Sequence, residues 1–318
     1  MIPPPPAPRA AAGSHTVLGA EPRWLTREDP DWPMRLGHLD EPPKGLWVRG
    51  TVLPQEAAVA VVGSRHPTLS GIDVAHELAR GLAEVGIQVV SGMARGIDAA
   101  AHRGALAGGG TTVAVLGAGL DFPYPSAHGQ LRQEIAAAGS LISENGVMTP
   151  PAPRRFPWRN RLIAALSRAV IVVEAGERSG ALSTATWATN LGREVLAVPG
   201  SIRTPQCAGS NQLIRDGARP FLGLDDIFEV APDLQPASGS VAVRATKGRD
   251  QDRSRRNHRW ADGPSLQILE ILGSEPIHPD SLAEALDLPA AALASRLTVL
   301  ELAGAIALLP SGLVVRMP

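Results

Sequence analysis

Three short stretches of this 318-residue chain set glycine, arginine and an aromatic ring at spacings that suit a phosphate backbone. The first is Gly63-Ser64-Arg65, directly after the apolar run VAVV. A glycine at the carboxyl end of a strand lets the chain turn tightly, and free N–H groups then point above the sheet. Arg65 adds a permanent charge on a planar fork of donors. The second stretch is Gly92-Met93-Ala94-Arg95, after the apolar run IQVV, and the third is RFPWRNR, from Arg155 to Arg161. Pro157 suits the first turn of a helix, whose N–H groups favour phosphate. Arg155 and Arg159 fall four apart, on one side of such a helix. Phe156 and Trp158 each fit two readings, a stacking face for bases or a place in the core. Stacking on an aromatic is worth about 1–3 kcal/mol per base and demands no sequence.

Two other readings of these residues are weaker. His102 and Ser179 can be drawn as a base and a nucleophile, but nothing in the sequence orients one towards the other. Asp98, Glu144 and Glu174 are read as holding arginine side chains or capping helices. No group of residues has metal-ligand spacing, so neither a metal nor a cofactor is expected.

The elements that must position these residues alternate. Apolar runs at 58–62, 87–90, 112–116, 141–143, 169–173 and 195–198 are mostly separated by helical patterns. After the first run, Ile72, Ala75, Ala79, Leu82 and Val85 recur at helical spacing. Repeated strand–helix units give a parallel sheet with helices on both faces, an extended Rossmann-like α/β fold, with the strand carboxyl ends along one edge. An edge strand is expected at 46–48, behind several prolines. Four segments follow: a loose Pro/Ala-rich lead-in at 1–22, the Rossmann-like domain at 23–230, a charged linker at 231–263 and a small domain at 264–318. The last shows three proline-headed helical patterns, at 264–272, 279–286 and 289–303. Two short strands, at 305–309 and 313–316, complete a winged helix. Its third helix carries one basic residue, Arg296, offset by Glu301, so a protein-contact or structural role is expected there.

Composition narrows the classes. The single cysteine, Cys207, rules out an intramolecular disulfide and fits a reducing cytosol, so a cytoplasmic location is expected. No apolar run of about 18 residues exists to span a membrane. Net charge is −1, yet the windows 154–168 and 244–259 each carry +5. Basic stripes on an otherwise acidic chain point to a polyanion; ordinary solvated faces remain a reading for the second window. The GxGxxG fingerprint is absent after the first strand, and VVSG stands where an acidic ribose clamp would follow the second, which argues against a nicotinamide dinucleotide.

Six motifs in order, VAVVGSR, SGMARGIDAAAH, TVAVLGAGLDFPYP, FPWRNRLIAALS, RSGALSTA and REVLAVPG, resemble the DNA processing protein A (DprA/Smf) family from about residue 29 to 218. The resemblance implies a non-enzymatic protein that binds single-stranded DNA and loads the RecA recombinase in natural transformation. It also implies a homodimer built through the Rossmann domain. The family's strand-binding motifs fall on Gly63, Ser64, Arg65, Gly92, Arg95, Phe156, Arg159, Asn160 and Arg161. Arg155 and Ser179, beside two of those motifs, are placed with them. Two departures stand out. The N-terminal segment is too short and proline-rich for the family's small first domain, and His128 stands where the family pattern has Asn. The alternative is a Rossmann-like nucleotide phosphoribohydrolase, but the PGGxGT pattern of such enzymes does not occur.

Overall fold

The computed structural model describes residues 21–50, 54, 56–235, 268–269, 271–272, 277–286, 288–302, 305–309 and 312–316. Most of the lead-in (1–20), most of the linker (236–263) and part of the first C-terminal helical pattern lie outside the described residues. Residues 1–240 and 241–318 form two compact units.

The first unit is built on one nine-stranded sheet. Its strands are β1 (Arg23–Leu25), β2 (Leu46–Gly50), β3 (Ala58–Val62), β4 (Gln88–Ser91), β5 (Thr112–Val115), β6 (Ser140–Ser143), β7 (Ala169–Val172), β8 (Glu194–Ala197) and β9 (Arg219–Pro220). They lie in the order β1-β2-β6-β5-β4-β3-β7-β8-β9. From β3 to β9 and from β3 to β6 all pairings are parallel, while β2 runs antiparallel to both β1 and β6. The strand expected at 46–48 is therefore not an edge. Three residues around Trp24 pair with it through the register Trp24↔Trp47 and take the edge position themselves.

All five residues of β3 are buried, as a strand covered on both faces requires. Val59 and Val61 pack to one side, and Ala58, Ala60 and Val62 to the other. Each fully buried valine contributes about 1.5–3 kcal/mol of transfer free energy. The chain winds outward from β3 in both directions, and the reversal falls between β3 and β7. Open α/β sheets leave a crevice at such a point, above the strand carboxyl ends.

Seven helices flank the sheet: α1 (Leu69–Glu84), α2 (Ile97–Ala107), α3 (Gly129–Ala138), α4 (Arg155–Leu166), α5 (Ala181–Asn190), α6 (Ala208–Arg215) and α7 (Asp225–Val230). On α1 the buried face is Ala75, Leu78, Ala79, Leu82 and Ala83. It is rotated slightly from the expected stripe, so Ile72 is exposed. Every residue of α4 from Arg159 to Leu166 is buried, arginines included. Among the described residues no helix is long and apolar enough to cross a membrane.

The second unit holds α8 (Pro279–Leu286), α9 (Ala290–Leu302) and an antiparallel pair, β10 (Ile306–Leu308) with β11 (Val314–Arg316). Ile268, Leu272, Leu282, Leu293, Leu300, Ile306 and Val314 close a small core of its own. These are the second and third helical patterns and the hairpin of the winged helix expected from the sequence; the first pattern lies largely outside the described residues.

Candidate nucleic-acid interface

At the β3/β7 reversal the start of α1 already has an anion. Glu174, two residues beyond β7 and only 6% exposed, turns its carboxylate onto the start of α1. Its Oε2 accepts the Thr68 N–H at 2.9 Å and its Oε1 accepts the Thr68 hydroxyl at 2.6 Å. The Thr68 hydroxyl oxygen in turn accepts the Gly71 N–H, capping the helix. Glycine at residue 71 leaves room for this carboxylate: a Cβ there would lie 2.6 Å from Glu174 Oε2, and the Glu174 side chain would have to shift. The positive end of a helix is where a nucleotide phosphate sits in dinucleotide-binding folds. Here the chain supplies its own anion, which is the physical ground for setting nucleotides aside.

The same packing corrects the expectation of free amides at Gly63-Ser64-Arg65. The Ser64 N–H donates to the Glu174 carbonyl at 2.6 Å, and the Ser64 hydroxyl accepts the His66 N–H at 3.1 Å. Arg65 is the exposed member of the trio. Its guanidinium lies 5.2 Å from the centroid of the Phe156 ring, and among the described residues it makes no ion pair.

Phe156 comes from the first turn of α4, which lies over the carboxyl ends of β4 and β5. The ring is half-buried against Gly117, with Tyr124 at 5.5 Å between centroids. Arg155, beside it, donates to the Pro150 carbonyl. Arg95 is exposed at the start of α2 and makes no ion pair among the described residues. Arg65, Arg95, Phe156 and the half-buried Arg155 thus surround the carboxyl ends of three adjacent strands. Tyr124 is the member that the motif reading missed, although it sits inside the quoted GLDFPYP stretch.

Arg159 and Arg161 are placed differently from expectation. Arg159, 4% exposed, points into the protein. Its Nη1 donates to the Gly92 carbonyl at 2.7 Å and to the Val115 carbonyl. Burial pulls its guanidinium down to about 10, against the opposing pull of Asp98. Asp98 is buried as well. Its Oδ2 accepts the N–H groups of Gly92 at 3.1 Å and Ala94 at 3.2 Å, and burial pushes its carboxyl up, against the attraction of Arg159. Gly92 has no side chain for this reason: a Cβ would lie 2.6 Å from Arg159 Nη2 and 2.7 Å from Asp98 Oδ2. The pair clamps the loop that carries Arg95. Within that loop Met93 holds φ at 60°, a strained value for a residue with a side chain, costing about 1–3 kcal/mol. Its carbonyl lies 3.2 Å from Nδ1 of the buried His128, which stands at the departure from the family pattern.

Arg161, 3% exposed, is paired through Nη2 with Glu144 at 2.7 Å. Asn160 is also buried, and its Nδ2 donates to the Gly180 carbonyl and the Ser183 hydroxyl, tying α4 to α5. Half-buried Ser179 accepts the Ala181 N–H at the start of α5. Gly92, Arg159, Asn160 and Arg161 therefore stand beneath the surface that Arg65, Arg95, Arg155 and Phe156 form. Glu144 holds Arg161 and Glu174 binds the capping Thr68, as the sequence suggested, whereas Asp98 accepts the N–H groups of Gly92 and Ala94. His102 hydrogen-bonds Thr112 at 2.7 Å rather than facing Ser179, and burial takes its pKa down to about 3.

Two family profiles match this chain: DNA recombination-mediator protein A over residues 23–232 and the DprA winged helix domain over residues 254–312. The chain belongs to the DNA recombination-mediator protein A family. Among its relatives, a putative DNA processing protein DprA of Mycobacterium tuberculosis is 43% identical over 245 residues, or 73% of this chain and 63% of that protein. The DNA processing protein DprA of Bacillus subtilis is 38% identical over 204 residues, or 64% of this chain and 69% of that one. The match thus spans less than two thirds of the mycobacterial relative's length. Two solved structures of the family share the fold. DNA processing protein A of Streptococcus pneumoniae superposes with a TM-score of 0.62 at 38% identity, covering 66% of this chain and 74% of the other. That of Helicobacter pylori, described by its unique single-stranded DNA binding mode, gives 0.59 at 30% identity, covering 67% of this chain and 97% of the other.

Proposed function

We propose that this chain binds single-stranded DNA across the carboxyl edge of the sheet and presents it, without catalysis, to the RecA recombinase. The observation that carries the binding is the group formed by Arg65, Arg95 and Phe156. Both arginines are exposed and make no ion pair among the described residues, and Arg65 lies 5.2 Å from the centre of the half-buried ring. Charges neutralise phosphates, and the ring stacks a base of any identity. Gly92, Arg159, Asn160, Arg161 and Ser179 serve the site by holding the loops and helices that present those groups. Family membership supports the reading, and the Helicobacter pylori relative is described as binding single-stranded DNA.

The recombinase hand-off and a homodimeric state rest on the resemblance of motifs, and a cytoplasmic location on the single cysteine. The family match lends no support to the ribohydrolase alternative. Fluorescence anisotropy with labelled oligo-dT and with a duplex of equal length, at one salt concentration, tests the core of the proposal. Preference for the single strand is the expected result, and equal affinity for the two overturns it.

A further inference from the structure

One aromatic surface beside this site has no part in the reading above. Trp158 stands on the first turn of α4 yet is 40% exposed, an unusual state for so large an apolar ring. The half-buried Trp187 of α5 meets it edge-on, with centroids 6.4 Å apart and planes at 82°. The Arg161 guanidinium lies 4.2 Å from the centre of the Trp158 ring. Two donors of that buried guanidinium, Nε and Nη1, have no hydrogen-bond partner, and only Nη2 is engaged, by Glu144. The guanidinium is thus packed under the indole, a cation–π contact that holds the Trp158 ring in place.

From these observations we infer that Trp158, with Trp187 at right angles to it and Arg161 against it, is a second base-stacking subsite on the same single strand. The inference rests on the single-strand reading and extends it. A floor and a perpendicular wall of indole accept a flat ring by stacking on one and by edge contact with the other. The occupant must be planar and anionic along its edge to suit the exposed arginines around the rings; a nucleotide is both. The surroundings are cationic, with Arg154 and Arg155 on the same helix start. Arg178 is exposed on the loop that leads to Gly180, to which Asn160 is tied. Phe156 and Trp158 are two residues apart, so they face different sides of α4. Two successive stretches of one strand can therefore be held across the helix start.

The test uses the full-length protein, its Trp158→Ala and Trp158→Phe variants, and Phe156→Leu as the control for the first subsite. Anisotropy with labelled oligo-dT at fixed salt reads affinity, tryptophan emission reads stacking, and melting curves confirm the fold. Expected for Trp158→Ala is a loss of about fivefold or more in affinity and a smaller quench on binding. Trp158→Phe, which keeps a ring, should stay within about twofold of the parent. If Phe156→Leu weakens binding while Trp158→Ala matches the parent in affinity and quench, the subsite is refuted and the single-strand reading stands. A Trp158→Ala protein with parental binding and an altered sedimentation profile also refutes it, assigning the surface to another copy of the chain. If the parent itself fails to bind oligo-dT, both fall.

Discussion

Replacing Arg65 by alanine removes an exposed guanidinium that has an aromatic ring for a neighbour, makes no ion pair among the described residues and feels the buried Asp98 only at longer range. For single strands each phosphate contact contributes about 0.7 to the slope of log affinity against log salt. Taking counterion release as the whole of the contact, its advantage vanishes near about 1 M salt. The parent should then outbind Arg65→Ala by about fifteenfold near 0.02 M salt, about fivefold near 0.1 M and about twofold near 0.4 M. Anisotropy titrations of oligo-dT at these concentrations give two straight lines that converge as salt rises. Arg159→Ala is the contrasting variant. Because Arg159 is spent on the Gly92 and Val115 carbonyls beside Asp98, its loss should show first as a lowered melting temperature. Parallel lines for parent and Arg65→Ala would show that residue 65 meets no phosphate. An Arg159→Ala protein that melts like the parent, with a slope shallower by about 0.7, would show that burial has misled the assignment.

Three further outcomes follow from the same geometry. Phe156→Leu should weaken oligo-dT binding by a stacking-sized amount, about 1–3 kcal/mol, with an unchanged salt slope in the same titrations. Asp98→Ala leaves two loop N–H groups without their acceptor, and should cost about 1–3 kcal/mol or more in urea denaturation. His102 is neutral when folded down to a pKa of about 3, whereas the unfolded chain takes up its proton near 6.5. The unfolded state thus binds more protons between those values, so stability from this group is full above about pH 6.5 and falls as pH drops. At about pH 5 the loss should be about 2 kcal/mol, and the difference between parent and His102→Asn in urea midpoints at about pH 5 and pH 7 measures it.

The alternation of apolar runs was enough to read the parallel sheet, because strands buried on both faces leave continuous hydrophobic runs. Residues 23–25 were not legible: three residues, one of them fully apolar and buried, carry no period, and their partner strand lies beyond a proline-broken stretch. That omission is what made residues 46–48 look like an edge. At the site, charge and spacing singled out Arg65 and Arg95 together with Arg159 and Arg161, two that the fold leaves exposed and two that it buries. From Arg159 to Leu166 helix α4 is buried all round, so it has no amphipathic stripe to say which arginine faces water. The partner of Glu174 was equally hidden, since Thr68 lies 106 residues away in sequence.

The carboxylate that Glu174 lays on the start of α1 also bears on what the protein meets in a crowded cell. A fold whose anion corner stood open would be exposed to every free nucleotide in solution, each competing with the intended polymer. With Thr68 and the helix end already satisfied internally, a lone nucleotide gains only one ring contact and one or two charges. A strand, which spreads many such contacts along one backbone, gains them all at once. On the single-strand binding proposed above, a preference for polymer over monomer is a property of the scaffold itself.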